Sequence, residues 1–300
     1  MRLGVGGCLN FDFGRGIAKL ALELISGLLE FPKALANTTG ELGKLFCSEE
    51  QLSAAGVAAW GVVGPPAQVF GPTLRCTADA KKLALTFDDG PNPAVTSRLL
   101  DLFDRYSARV TFFLVGKYAR ACPDLVREMA VRGHVLGNHT QTHPNLIFLS
   151  RARIRQELVQ CQQAIADATR SDPPRWMRPP YGFRSPALDG EVRRAGLSGV
   201  VTWSLICGDW KPQPPDRLIV KLARAARASS PRGDIVVLHD GDHRALGGDR
   251  AHVVSALENW LPRWNDAGIE FVTIDSVTSI DLARAHSWAR NRPGKRVITD

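Results

Sequence analysis

From Lys81 onward the chain alternates short apolar runs with longer stretches of helical periodicity. The runs "LALTF", "VTFFLVG", "HVLGN", "LSGVVTWSL", "DIVVLHD" and "EFVTI" are rich in β-branched and aromatic residues and bounded by polar or glycine positions, so they read as strands. Between them, "SRLLDLFDRY", "DLVREMAVRG", "RARIRQELVQCQQAIADAT", "DRLIVKLARAARA" and "HVVSALENWLPRWNDAG" repeat apolar residues every three or four positions, so they read as amphipathic helices. Strand and helix in alternation over about 200 residues predict an α/β fold with a parallel sheet and helical crossovers. The number of units approaches that of a distorted (β/α) barrel, in which chemistry gathers at the C-terminal ends of the strands.

The first 75 residues follow another rhythm. Ile17, Leu20, Leu24, Leu28 and Phe31 recur at helical spacing up to Pro32, which predicts an amphipathic helix packed on protein. Gln51 to Leu74 carries no charge at all, yet glycine, alanine and the Pro65–Pro66 pair break it well short of the roughly 20 apolar residues that a membrane span needs. A weak membrane anchor here stays open, whereas Met1–Arg2 before a glycine-rich stretch does not make an ordinary signal peptide. The chain thus divides into an N-terminal helical segment (1–75), a catalytic domain (76–280) and a C-terminal tail (281–300). Because 1–75 contains none of the chemistry described next, a chain beginning near Arg75 is expected to fold and to work.

Charge changes this picture little. The net charge is +8, residues 1–75 balance six basic against six acidic side chains, and the excess is scattered over the rest. No dense basic stripe appears, which argues against a nucleic-acid partner. The cysteines at 8, 47, 76, 122, 161 and 207 form no C-x-x-C pair, which argues against a zinc knuckle or a thioredoxin-type site.

Polar residues that sit oddly beside apolar runs all fall where strands should end. Asp88 and Asp89 follow "LALTF", His139 and His143 follow "HVLGN", Arg178 and Tyr181 follow the short run "RWM", Asp209 and Trp210 close "TWSLICGDW", and His239 ends "IVVLH". One barrel mouth would collect them. Two imidazoles and a carboxylate make a common catalytic metal set with positions left open for water. A cation bound by Asp89 would also cancel the repulsion between the paired aspartates. Asp88 would then be free to take a proton.

Together, "TFDDGPNP", "GNHTQTHP", "RPPYG", "GDW" and "VVLHD", in this order and flanked by "ARVTFFLVG" and "RGHVLGNH", resemble the polysaccharide deacetylases, the NodB-type catalytic domain of carbohydrate esterase family 4. The resemblance spans Lys81 to Ile274. It implies a distorted (β/α) barrel that hydrolyses N-acetyl groups on the amino sugars of a chitin-like or peptidoglycan-like glycan and releases acetate. It further implies that Asp89, His139 and His143 bind a divalent metal, usually zinc. Asp88 would be the general base, His239 the general acid and Arg178 the residue holding Asp88. Tyr181 would lend a backbone N–H to the oxyanion, while Trp210, Asp209 and Val237 would contact substrate. A cell-envelope or extracytoplasmic location follows from that substrate class.

Two departures stand out. The family's fourth motif usually reads Asp-x-x-Asp-Trp, and Ile206 replaces its first Asp. Either Asp209 then partners His239, or His239 works without an anion. Val237 stands at the Leu position of the fifth motif, a mild change in an acetyl-methyl wall. A small-molecule amide or imide hydrolase, or a carbohydrate-binding relative without activity, are the competing readings. His134, Asp242, His243 and Cys207 read as strand-start, loop and passive buried residues, and Trp260 with Trp264 as core.

Overall fold

The computed structural model describes residues 70–226 and 232–277. The expected helix at 17–31, the uncharged stretch as far as residue 69 and the 281–300 tail lie outside them. Nine strands form one sheet: β1 (Thr73–Leu74), β2 (Lys82–Asp88), β3 (Thr111–Leu114), β4 (Val135–Asn138), β5 (Trp176–Met177), β6 (Gly199–Val201), β7 (Leu205–Ile206), β8 (Ile235–His239) and β9 (Glu270–Phe271). Their order is β1-β6-β5-β4-β3-β2-β8-β7, with β9 beside the start of β2. Every ladder between these strands is parallel.

Parallel neighbours need long crossovers. These hold helices α1 (Thr96–Arg105), α2 (Gly116–Ala121), α3 (Pro123–Val131), α4 (Arg151–Thr169), α5 (Leu188–Arg194), α6 (Pro215–Leu222) and α7 (Ala251–Asp266). Helix α4 starts where the Ser150 side chain accepts from the Arg153 N–H and stops where Arg170 turns left-handed.

Strand alternation explains the layers. Leu83, Leu85, Phe87, Phe112, Leu114, Val236 and Leu238 point outward into the core shared with the helices, where Phe87 and Phe112 stack 5.2 Å apart. The opposite face holds a smaller cluster that includes Ala84, Phe113, Trp176, Val201 and Ile235. Cross-strand register then fixes the inner layers: Ala84 lies beside Ile235, Thr86 beside Val237, and Asp88 beside His239. A period of two therefore carries apolar residues at the bottom of the inner face to a carboxylate and an imidazole at its top.

The run "LSGVVTWSL" does not make one strand. It breaks at residues 202–204, where the Thr202 N–H donates to Leu74 O and the Ser204 N–H to Ile235 O. The same run thus pairs with β1 and β5 on one side and with β8 on the other, joining the two ends of the sheet. "EFVTI" yields only two residues of strand before a 3₁₀ turn at Ile274–Ser276, whose first N–H donates to Thr111 Oγ1 at 3.0 Å. Helices α2 and α5 are too short to leave a periodic signature.

Strand β1 lies just before the expected boundary near 75. It pairs with β6, and Leu74 is buried with the inner cluster. Burial of a leucine contributes about 1.5–3 kcal/mol. A chain that begins at Arg75 is therefore expected to unfold at lower urea than one that begins at Phe70, by a midpoint shift of that free-energy size. Equal midpoints for the two chains would show that β1 adds nothing.

Candidate active site

The aspartate pair ends β2. Neighbours on an extended strand point to opposite faces, yet both carboxylates reach one mouth, because Asp89 adopts a left-handed backbone with φ 71°. Packing holds that turn: a Cβ on Gly241 would lie 2.0 Å from the Asp89 carbonyl oxygen, so only glycine fits behind it. Thr140, His143 and Tyr181 are also left-handed, at φ 66°, 59° and 60°. Non-glycine strain of this kind gathers where surrounding structure enforces it.

The histidines come from the β4–α4 connection. His139 directly follows β4, and its N–H donates to Leu114 O. The loop to His143 is pinned from below. Thr140 N donates to Asn138 Oδ1 at 2.8 Å, Thr142 N to Glu157 Oε2 at 2.8 Å and His143 N to Thr140 Oγ1 at 3.1 Å. His139 Nδ1 lies 2.7 Å from the Arg178 carbonyl. That carbonyl only accepts, so Nδ1 carries a proton and Nε2 is the nitrogen turned towards the cluster.

Asp89, His139 and His143 are all buried, and one ligand atom from each lies within 4.8 Å of the others. His139 Nε2 and His143 Nε2 approach Asp89 Oδ1 at 3.5 and 3.2 Å. Asp89 Oδ1 has no hydrogen-bond partner among the described residues. Burial, with the neighbouring His139, pushes the His143 imidazole down to about 2, so it is neutral. Burial works against the Asp89 carboxylate, but contacts with His139 and His243 outweigh it and hold the group well below the ordinary range. Lone pairs and a carboxylate converging without a donor are the arrangement a divalent cation satisfies, and this donor set fits zinc.

Two further pairs flank this triad. Asp88 Oδ1 accepts from Arg178 Nη1 at 2.8 Å, and the same nitrogen donates to Thr86 Oγ1 at 2.7 Å. Arg178 is fully buried; its Nη2 donates to Thr202 O at 3.0 Å, and its guanidinium lies 4.3 Å from the centre of the Phe113 ring. On the other side, His239 Nδ1 lies 3.1 Å from Asp209 Oδ1, and the His239 N–H donates to Asp209 Oδ2 at 2.6 Å. Burial alone would lower the His239 pKa, but the Asp209 carboxylate outweighs it and raises the imidazole to about 9.

Asp88, Asp89, His139, His143 and His239 line a cleft of about 260 Å³ together with Tyr181, Trp203, Ile206, Trp210, Val237, His243 and Arg244. Asp209 is the exception among the expected substrate contacts. It is wholly buried behind His239, because both its oxygens are engaged by that residue. The geometry thus favours the first of the two alternatives opened by Ile206. Ile206 itself stands on the cleft rim, 42% exposed. Trp210 packs edge-on against His239, with ring centres 5.5 Å apart, and Val237 lies in the layer beneath.

Sequence reasoning passed over Trp203, Arg244 and His243. Trp203 lies inside a run that reads as a strand, and the other two in a loop of no evident pattern. His243 is no idle loop residue: its ring stacks on His143 at 4.2 Å. Cys207 is buried with its thiol pushed up to about 12 by burial, and Trp264 is core, both as expected.

In a parallel sheet, the Arg178-held Asp88 and the Asp209-paired His239 thus stand on either side of a buried Asp–His–His cluster. The profile of the polysaccharide deacetylase family matches residues 75–200. A chitooligosaccharide deacetylase from Bradyrhizobium sp. is 35% identical over 196 residues, 63% of this chain and 87% of that protein. A peptidoglycan-N-acetylglucosamine deacetylase from Bacillus cereus is 32% identical over 206 residues, 68% of this chain and 92% of that one. The crystal structure of a peptidoglycan N-acetylglucosamine deacetylase in complex with 4-naphthalen-1-yl-N-oxidanyl-benzamide superposes with a TM-score of 0.61 at 29% identity, covering 68% of this chain and 91% of the other. The chain belongs to the polysaccharide deacetylase family, and is a hydrolase of carbon–nitrogen bonds other than peptide bonds.

The His239 imidazole is expected to titrate near pH 9 in the metal-free protein, as followed by NMR. Its pKa is raised on folding, so the stabilisation is complete below the ordinary value of about 6.5 and is lost as pH rises through the folded value. Asp209→Asn removes the anion and should bring the titration down towards or below neutrality. An unshifted titration in that variant would dismiss Asp209 as the partner.

Proposed function

We propose that the protein removes N-acetyl groups from amino sugars of a chito-oligosaccharide or peptidoglycan type of glycan, releasing acetate, with a divalent metal, zinc by its donor set, held by Asp89, His139 and His143. The observation that carries this reading is the convergence of three donor-less ligand atoms between Asp88 and His239. When bound, such a cation supplies Lewis acidity towards water and the amide carbonyl.

The chain's own residues supply the proton transfers. Asp88, held at its Oδ1 by Arg178, has its Oδ2 only 3.8 Å from His139 Nε2, close to where an attacking water would sit. It takes the proton from that water. His239, kept protonated to about pH 9 by Asp209, gives a proton to the departing amine nitrogen. Tyr181, in its left-handed turn beside the cluster, offers its backbone N–H to the oxyanion in this reading. Trp210 and Tyr181 are 40% and 49% exposed at the cleft, apolar surfaces of the kind on which a sugar ring can lie. One relative is named for chito-oligosaccharide and another for peptidoglycan N-acetylglucosamine, and glycan substrates of that kind support a site of action outside the cytoplasm. Among the described residues no helix is long and apolar enough to cross a membrane.

Asp88→Asn should lower acetate release from N-acetylated chito-oligosaccharides by about 10²–10⁴ while leaving the metal content intact. Removing metal with a chelator should abolish turnover in the parent protein, and zinc should restore it. Acetate release by the chelated protein at the parent rate would refute the metal-dependent reading. Near-parent release by Asp88→Asn would refute Asp88 as base.

A further inference from the structure

The loop after β8 places His243 against the cluster, four residues beyond His239 and unaccounted for in the reaction above. Its Nδ1 lies 3.5 Å from Asp89 Oδ2, on the opposite carboxylate oxygen from the one facing His139 and His143. Its ring is stacked on His143 with 4.2 Å between centres and 21° between planes. Its Nε2 lies 3.5 Å from the Tyr181 hydroxyl, and Tyr181 also packs edge-on against His143 at 4.8 Å. The loop is fixed in turn by Lys117, whose Nζ donates to His243 O at 2.8 Å, and by Asp242, whose Oδ1 accepts from the Arg244 N–H at 2.9 Å.

From this geometry we infer that His243 is a positioning residue for the metal centre: it engages the outer oxygen of Asp89 and clamps the ring of His143, presetting two of the three ligands. The inference rests on the metal reading above. Its two ring nitrogens face both polar groups at once, Nδ1 towards Asp89 Oδ2 and Nε2 towards the Tyr181 hydroxyl, each at 3.5 Å. A carboxylate held at Oδ2 would leave Oδ1, the oxygen that faces His139 and His143, for a cation. Ligand-orienting contacts of this kind are worth about 10–100-fold in metal affinity. Packing alone does not account for His243, because an apolar ring would stack on His143 equally well and leave Asp89 Oδ2 without this contact.

The test is zinc affinity of the full-length protein, measured by competition with a chromophoric chelator, alongside thermal unfolding of the metal-free forms. His243→Ala and His243→Phe should each weaken zinc binding by about 10–100-fold. His243→Asn, whose amide nitrogen falls near the position of Nδ1, should recover most of the loss. Metal-free unfolding midpoints should stay close to the parent in all three. Parent-like zinc affinity in His243→Phe, or no recovery in His243→Asn, would overturn the assignment while leaving the metal reading intact. Failure of the unaltered protein to bind zinc would overturn both.

Discussion

A single buried guanidinium ties the barrel to its chemistry. Arg178 reaches through the inner face from the end of β5, donates to Thr86, Asp88 and the carbonyl of Thr202, and is entirely shielded from water. Its own main chain works as well: the Arg178 N–H donates to Asn138 O, and its carbonyl fixes the ring of His139. One residue therefore fixes both the Asp88 carboxylate and the ring of His139. Burial of such an ion costs several kcal/mol unless its donors are met, and removing its partner leaves an uncompensated charge. The ring of Phe113 beneath it, and Gly137, where a Cβ would lie 2.4 Å from that ring, provide the space in which the arginine lies.

The two ion pairs that flank the cluster are arranged with opposite electrostatic sense. Asp88 faces a cation, and His239 faces an anion. The anion beside His239 favours its charged form. The parallel register of β2 and β8 puts them in the same layer. Between them the strained turns at Asp89, Thr140, His143 and Tyr181 aim main chain and side chain at one cleft. Beneath that cleft Asp240 sits fully buried, its Oδ2 accepting from Thr96 at 2.5 Å; burial raises its carboxyl to about 7. The loop on either side of Asp89 thus depends on packing that tolerates no added atom at Gly90 or Gly241.

The opposite side of the barrel has a plainer physics. His134 at the start of β4 packs against Phe103 and Phe112, and burial lowers its imidazole to about 4, so it stays neutral as part of the core. The contrast with His239 is instructive: of the two rings only the one with an aspartate beside it has its pKa raised. Environment, not residue type, separates the two histidines.

The sequence by itself determined the strand–helix alternation, the parallel sheet and the placing of Asp88, Asp89, His139, His143, Arg178 and His239 at strand ends. These are local properties: a period of two or of 3.6 and a polar residue closing an apolar run need no knowledge of distant partners. Short motifs in fixed order added the family. The tertiary structure alone decided that Asp209 stands behind His239 instead of in the cleft wall, that "LSGVVTWSL" splits to join both ends of the sheet, that β1 belongs to the barrel, and that His243 folds back onto His143 and Asp89. Each of those depends on register between strands or on how a loop returns across the mouth. Such contacts are set by packing between segments far apart in the chain, and no spacing along the sequence records them.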